Sequence, residues 1–275
     1  MTNVSADQAK QGARERVWTL LEQAHAVAPG VYGRIPAFAG ADEAADRLAA
    51  LPVWQRAEII KAVPDKAQLP VRARALEAGK LVYMAVPMLA DALPFYLLDP
   101  KTLTVSPTEA AAREVAARVA RKVSVEQMQP VNLVICGSVA VNREGVRLGK
   151  GAGYSDIEVA LLQEAGLIGP ETTIVTTVHS LQVVDEPLPE TEHDFSVDLI
   201  VTPDEVIQCG PPRRPAGLIW EHLSPEKIRA IPVLGERLRA ERTTLKFSDL
   251  WGSVSGSLRA GHGLAASPSR WRDEM

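Results

Sequence analysis

Residues 131–165 read VNLVICGSVAVNREGVRLGKGAGYSDIEVALLQEA. The run 131–137 is apolar at nearly every position, as a strand buried on both faces must be. Asn142-Arg-Glu-Gly145 reads as a turn. Gly149, Gly151 and Gly153 then alternate, and Ser155–Ala165 has the spacing of a helix. A strand, a glycine loop and a helix start in that order form a cradle for an anion. Glycine lets the backbone approach a ligand closely, and the N–H groups at the helix start point at negative charge. Arg147 and Lys150 add two cations. The same glycines also suit a plain tight loop. The spacing is not a Walker A pattern, because Gly145 and Gly149 have three residues between them and Gly151 follows Lys150. It is not G-x-G-x-x-G either, since Tyr154 stands in the third glycine's place.

Outward from this unit the same alternation continues. Strands are expected at 81–87 (LVYMAVP), 172–178 (TTIVTTV), 198–202 (DLIVT) and 206–209 (VIQC). Helices are expected at Ala9–Ala28, stopped by Pro29 and Gly30, and at Ala41–Leu51, Val53–Ala62, Pro70–Gly79, Thr108–Arg121 and Ser224–Arg239. Two-sided apolar strands alternating with helices predict an α/β fold, a three-layer α/β/α sandwich with a mainly parallel sheet and a helical N-terminal region. The expected organisation is one domain over 1–246, mostly helical to residue 79 and α/β from 80. A Gly/Ser-rich tail follows over 247–275.

The chain has 275 residues, with 30 Lys and Arg against 34 Asp and Glu. A net charge of −4 argues against a general nucleic-acid binder, which needs clustered cations. No apolar run approaches the ~20 residues of a membrane helix, and no secretory h-region opens the chain. Cys136 and Cys209 form no motif and read as reduced thiols, so a cytoplasmic protein is expected.

Asp156 opens the helix after the loop. It suits either a Mg²⁺ ligand beside bound phosphates or a carboxylate favoured by the helix dipole. His179 follows a strand directly and reads as a substrate contact, a proton carrier or a structural histidine. The acids of 190–198, Asp194 among them, precede their strand and on pattern alone read as a solvated loop. Arg213-Arg214, set amid prolines, reads as a solvated turn.

In order along the chain stand Lys10 and Arg14, Gly79-Lys80, Arg147-Leu-Gly-Lys-Gly-Ala-Gly-Tyr-Ser-Asp156 and His193-Asp-Phe-Ser-Val-Asp198. This series resembles the 5-formyltetrahydrofolate cyclo-ligase (methenyltetrahydrofolate synthetase) family over about residues 8–210. Pro64-Asp-Lys-Ala-Gln68, Thr176-Thr-Val-His179 and Gln182-Val-Val-Asp185 add a likeness to its divergent branch, the methenyltetrahydrofolate-synthetase-domain-containing proteins. The resemblance implies ATP- and Mg²⁺-dependent closure of 5-formyltetrahydrofolate to 5,10-methenyltetrahydrofolate. It gives Lys10, Arg14, Arg147 and Lys150 to the phosphates of ATP, with the backbone of Gly149, Gly151, Ala152 and Gly153 as cradle. Asp156 and Asp194 would hold Mg²⁺. Asp65 and Tyr154 would face a folate-like substrate, Tyr154 by stacking on the pterin or by packing beneath the loop. Two departures stand out. Ser155 and Ile157 replace an aromatic and an arginine, and Pro64–Pro70 replaces a segment bearing a folate-contacting glutamate. A nucleotide-binding paralogue with another small-molecule substrate and a non-enzymatic binding protein are the competing readings.

Overall fold

The computed structural model describes residues 5–240. The tail expected at 247–275 lies outside them. The chain divides into two compact units, Met1–Val233 and Leu234–Met275. The described part of the second, 234–240, is helical.

The first unit contains β1 (Ile59–Ala62), β2 (Leu81–Ala85), β3 (Phe95–Leu98), β4 (Arg121–Val123), β5 (Leu133–Cys136), β6 (Ala140–Asn142), β7 (Arg147–Leu148), β8 (Thr173–Thr177), β9 (Val183–Val184), β10 (Leu199–Val201) and β11 (Val206–Gln208). Its helices are α1 (Ala6–Gln23), α2 (Ala41–Ala49), α3 (Pro52–Arg56), α4 (Leu69–Glu77), α5 (Pro107–Ala110), α6 (Arg113–Val119), α7 (Tyr154–Glu164) and α8 (Pro225–Ala230). Eight strands form one sheet in the order β11-β10-β8-β5-β1-β2-β3-β4. The central five are parallel, and β3, β4 and β11 join antiparallel at the two edges. The expected mainly parallel α/β sheet is therefore present. A small second sheet, β7-β6-β9, carries the hairpin that leads into the glycine loop.

The middle of the sheet corrects the sequence reading. Val53–Ala62 is not one helix. It is the short α3 followed by β1, which pairs with both β2 and β5. Ile59 and Ile60 are β-branched, and two flanking strands supply every ladder partner, so pairing overrides a weak helical pattern. Lys61 hid the strand by interrupting its apolar run.

Thr108–Arg121 also divides, into α5 and α6. Ala112 between them is extended, and Arg121–Val123 joins the sheet as β4. A buried guanidinium explains the break. Arg72 of α4 donates from Nε to the Ala111 carbonyl at 2.9 Å, and from Nη1 to those of Val63 (2.6 Å) and Asp65 (3.0 Å). Burial pulls the Arg72 pKa down to about 10, so the group stays charged at neutral pH.

Helix α1 stops at Gln23, short of Pro29. His25 takes a left-handed φ of 54°, and the Ala26 N–H donates to the Leu21 carbonyl, closing the helix as a Schellman turn does. The strand β3 is an addition to the expected strands, its short apolar run opening directly after Pro94.

Alternation along β1 explains the layers. Ile60 and Ala62 face a core with Trp54, Val71 and Leu76, on the side covered by α2 and α4. Lys61 faces the other way, is 1 % exposed, and pairs with Glu158 of α7. Two charges out of water persist only because each satisfies the other. Removing one partner strands the other, so Lys61→Met is expected to destabilise the chain by about 3–5 kcal/mol in urea denaturation. The double change Lys61→Met/Glu158→Leu should recover most of that loss.

Candidate active site

The parallel strands end together at one edge, and the chain passes from β1 to β2 on one side and to β5 on the other. Such a switch point opens a crevice at the carboxyl ends of the strands. Here it is a cavity of about 510 Å³. Val63, Pro64 and Asp65 after β1, and Val86, Pro87 and Met88 after β2, line it on the sheet side. Met88 holds a left-handed φ of 59°. The glycine loop and the first turn of α7 line it opposite.

The loop is set by the β6–β7 hairpin, whose turn falls at Asn142–Gly145 as read. The Gly145 N–H donates to the Asn142 carbonyl and the Val146 N–H to Asn142 Oδ1, both at 2.9 Å. From Gly149 to Asp156, no backbone N–H donates to an acceptor among the described residues. Two glycines sit where a side chain would force a neighbour or the backbone to shift. A Cβ at Gly149 would lie 2.7 Å from Arg147 Nη2, and Gly151 combines a φ of +97° with Arg14 Nη1 at 3.4 Å from any Cβ.

Besides Arg113, four cations line this cavity. Arg14 reaches from α1 and donates from Nε to the Gly149 carbonyl at 2.7 Å. Burial lowers its pKa, partly offset by Asp194. Lys10, one turn earlier, donates to Asp194 Oδ2 at 2.5 Å and to Thr191 Oγ1 at 2.9 Å. Lys150 lies 3.2 Å from Asp65. Arg147 is 4 % exposed, donates to Asp156 Oδ1 at 3.1 Å and stands 4.4 Å over the Phe195 ring. Burial works against its charge, but Asp156 and Asp194 outweigh burial and raise its pKa. Its Nε, also buried, has no hydrogen-bond partner among the described residues.

Thus Lys10, Arg14, Asp65, Arg147, Lys150, Tyr154, Asp156, Asp194 and the loop backbone share one cavity. His179 does not line it. Its Nδ1 accepts the Leu181 N–H at 3.1 Å, and its own N–H donates to Gln182 Oε1 at 2.8 Å, so it caps a short 3₁₀ turn. Arg214 departs from its reading as a solvated residue: it donates to the carbonyls of Gly169 and Thr172 and to Asp198 Oδ2. Asp194 departs from the pattern reading too, because α1 brings Lys10 to meet it inside the cavity. Sequence reasoning missed Arg113, Glu158 and His193 on the cavity wall.

The model of the 5-formyltetrahydrofolate cyclo-ligase family matches residues 6–203. The chain belongs to this family. Among its relatives, the methenyltetrahydrofolate synthase domain-containing protein of Mus musculus is 38% identical over 231 residues, covering 82% of this chain and 62% of the relative. That of Homo sapiens is 36% identical over 231 residues, covering 82% and 60%. The chain spans about three fifths of the length of these relatives. An NMR structure of 5,10-methenyltetrahydrofolate synthetase from Aquifex aeolicus is similar at a TM-score of 0.48 and 23% identity, covering 74% of this chain and 94% of that one. A 5,10-methenyltetrahydrofolate synthetase from Mycoplasma pneumoniae gives a TM-score of 0.40 at 14% identity, covering 70% and 97%. Every cavity residue named above lies within the span that matches the cyclo-ligase family.

The cavity carboxylates suit a metal held jointly with a ligand. Among the described residues no group of three or more His, Cys, Asp or Glu side chains forms a metal cage. Mg²⁺ commonly takes only one or two carboxylates beside substrate phosphates and water. Asp156 Oδ2 accepts no hydrogen bond among the described residues.

Asp194 carries a testable charge. Burial opposes its ionisation, but Lys10 and the N–H and hydroxyl of Thr191 outweigh burial and lower its pKa below the ordinary 3.8. A depressed carboxylate adds stability that is complete above the unfolded value and is lost as pH falls through the folded one. Urea denaturation from about pH 7 to about pH 2 should show a smaller acid loss in Asp194→Asn than in the parent.

Proposed function

We propose that this chain is an ATP- and Mg²⁺-dependent cyclo-ligase that closes 5-formyltetrahydrofolate, or a close folate relative, to the 5,10-methenyl form. The convergence of Lys10, Arg14, Arg147 and Lys150 around the unpaired amides of 149–156 carries this reading. A triphosphate offers anionic oxygens to the loop amides, which donate to no acceptor among the described residues, and to Lys10, Lys150 and Arg147, which otherwise rest on Asp194, Asp65 and Asp156.

In this reading the formyl oxygen attacks the γ-phosphorus of ATP and ADP leaves. The neighbouring folate nitrogen then closes the ring and expels phosphate. Phosphoryl transfer asks mainly for positioning and charge neutralisation. Arg147 and Lys150 supply both at the reacting phosphate, while Lys10, Arg14 and the loop amides hold the rest. Asp156 and Asp194 would hold Mg²⁺, which adds charge neutralisation at the phosphates. A folate has room beyond Asp65, where a cavity of about 720 Å³ shares Ile35, Pro64, Asp65, Arg113 and Lys150 with the first. Arg34 and Lys66 on its wall suit a carboxylated tail. The free thiols Cys136 and Cys209, both pushed up in pKa by burial, fit a reducing cytoplasm.

A second reading keeps the nucleotide but changes the acceptor. It is favoured by the pairing of Asp65 with Lys150 in the segment that departs from the family's glutamate.

Purified protein given 5-formyltetrahydrofolate, ATP and Mg²⁺ should develop methenyl-folate absorbance. Lys150→Ala should weaken ATP binding by about tenfold or more, and Asp156→Ala should raise the Mg²⁺ needed. ATP binding without the absorbance change would select the second reading. Absence of both would leave a binding protein on an enzyme's fold. Unchanged ATP affinity in both variants would remove the loop from the account.

A further inference from the structure

A third cavity, about 210 Å³, continues the first past the start of α7, and Gly153, Asp156 and His193 line both. Its inner wall is Ile157 and Ala160 of α7. Its outer wall is Leu218, Ile219 and Leu223, which lie beyond the residues 6–203 that match the family.

Specific contacts hold this outer wall in place. Lys227 donates from Nζ to the Ala152 carbonyl at 2.7 Å and stands 4.1 Å over the Tyr154 ring. The Leu218 N–H donates to Glu164 Oε1 at 2.7 Å. His222 Nδ1 meets His193 Nδ1 at 3.1 Å, one ring donating and the other accepting. The segment 217–227 is thus tied directly to the glycine loop.

We propose that this pocket, built by the segment 217–227, holds the base of the nucleotide whose phosphates lie on Gly149–Gly153. The inference rests on the triphosphate reading above and adds to it where the nucleoside goes. Three observations carry it. The three cavities run in series, with the cation-lined space of about 720 Å³ at one end and this pocket at the other. A phosphoryl donor must present its terminal phosphate to the acceptor, so its base lies at the end away from the acceptor. The pocket falls below the ~300–1,000 Å³ of sites for drug-sized ligands, which suits one flat ring system and not a whole folate. Ile157, Ala160, Leu218, Ile219 and Leu223 give it aliphatic walls, against which a planar heterocycle buries its faces. Asp156, His193, His222, Ser224 and Lys227 in the same lining offer partners to its polar rim.

Calorimetric titration of the full chain with ATP and with inorganic tripolyphosphate, each with Mg²⁺, tests this. The parent should bind ATP about tenfold or more tightly than tripolyphosphate. Ala160→Leu, which fills the pocket, should bring that ratio close to one while tripolyphosphate affinity stays as in the parent. Ile219→Ser, at a half-buried position away from any helix interior, should lower the ratio by about threefold or more and guards against a folding defect in the first variant. A parent ratio near one, or a full ratio retained in the folded variants, overturns the base pocket while leaving the phosphate site standing. Failure of the parent to bind either ligand overturns the base pocket and the triphosphate reading together.

Discussion

The guanidinium of Arg147, taken almost wholly out of water, stays charged because Asp156 and Asp194 stand near it and the Phe195 ring lies against it. Three separate parts of the chain meet at this group: the strand β7, the first turn of α7 and the segment 190–195. An uncompensated buried cation costs several kcal/mol, so the three parts must stay together. Its buried Nε has no partner among the described residues. The residue therefore assembles the cavity wall and, through Asp156, fixes the start of α7 beside the loop amides.

The rest of the fold serves this junction. The Lys61–Glu158 pair locks the helix that starts at the glycine loop onto the middle strand of the sheet. Arg72 gathers the carbonyls of Val63, Asp65 and Ala111, which fixes the chain leaving β1 where Asp65 meets Lys150. Helix α1, distant in sequence, lines the cavity with Lys10 and Arg14, one turn apart on the same face. Cations contributed by α1, β7 and the loop oppose carboxylates contributed by the turn after β1, by α7 and by the segment 190–198. A polyanion entering with a divalent cation would re-pair these charges without leaving any of them bare.

Much of this was legible in the sequence because local chemistry dominates there. The run 131–165 has apolar strand, turn, glycines and helix in an order that allows few structures, and each element appears where read. Apolar runs marked β2, β5, β8, β10 and β11 in the same way. The strand β1 was hidden because a lysine sits at its centre, and only a partner nearly a hundred residues away explains that lysine. Ala112 looks like any helical alanine until Arg72, also distant, claims the carbonyl of its neighbour. Asp194 lies on the side of its strand away from the site in a simple α/β picture. It reaches the cavity because α1 supplies Lys10, a tertiary event that no local pattern records. His179 stands at a strand's carboxyl end as site residues do, yet its ring is used to cap a turn. The segment 217–227 carried only the start of the helix expected at Ser224–Arg239, which told nothing of where it packs.

A crystal structure of the chain with Mg²⁺ and a non-hydrolysable ATP analogue addresses the central claim most directly. The account predicts phosphate oxygens within hydrogen-bond distance of the backbone amides of Gly149–Gly153 and of Arg147. An analogue bound elsewhere, with those amides facing only water, would contradict it.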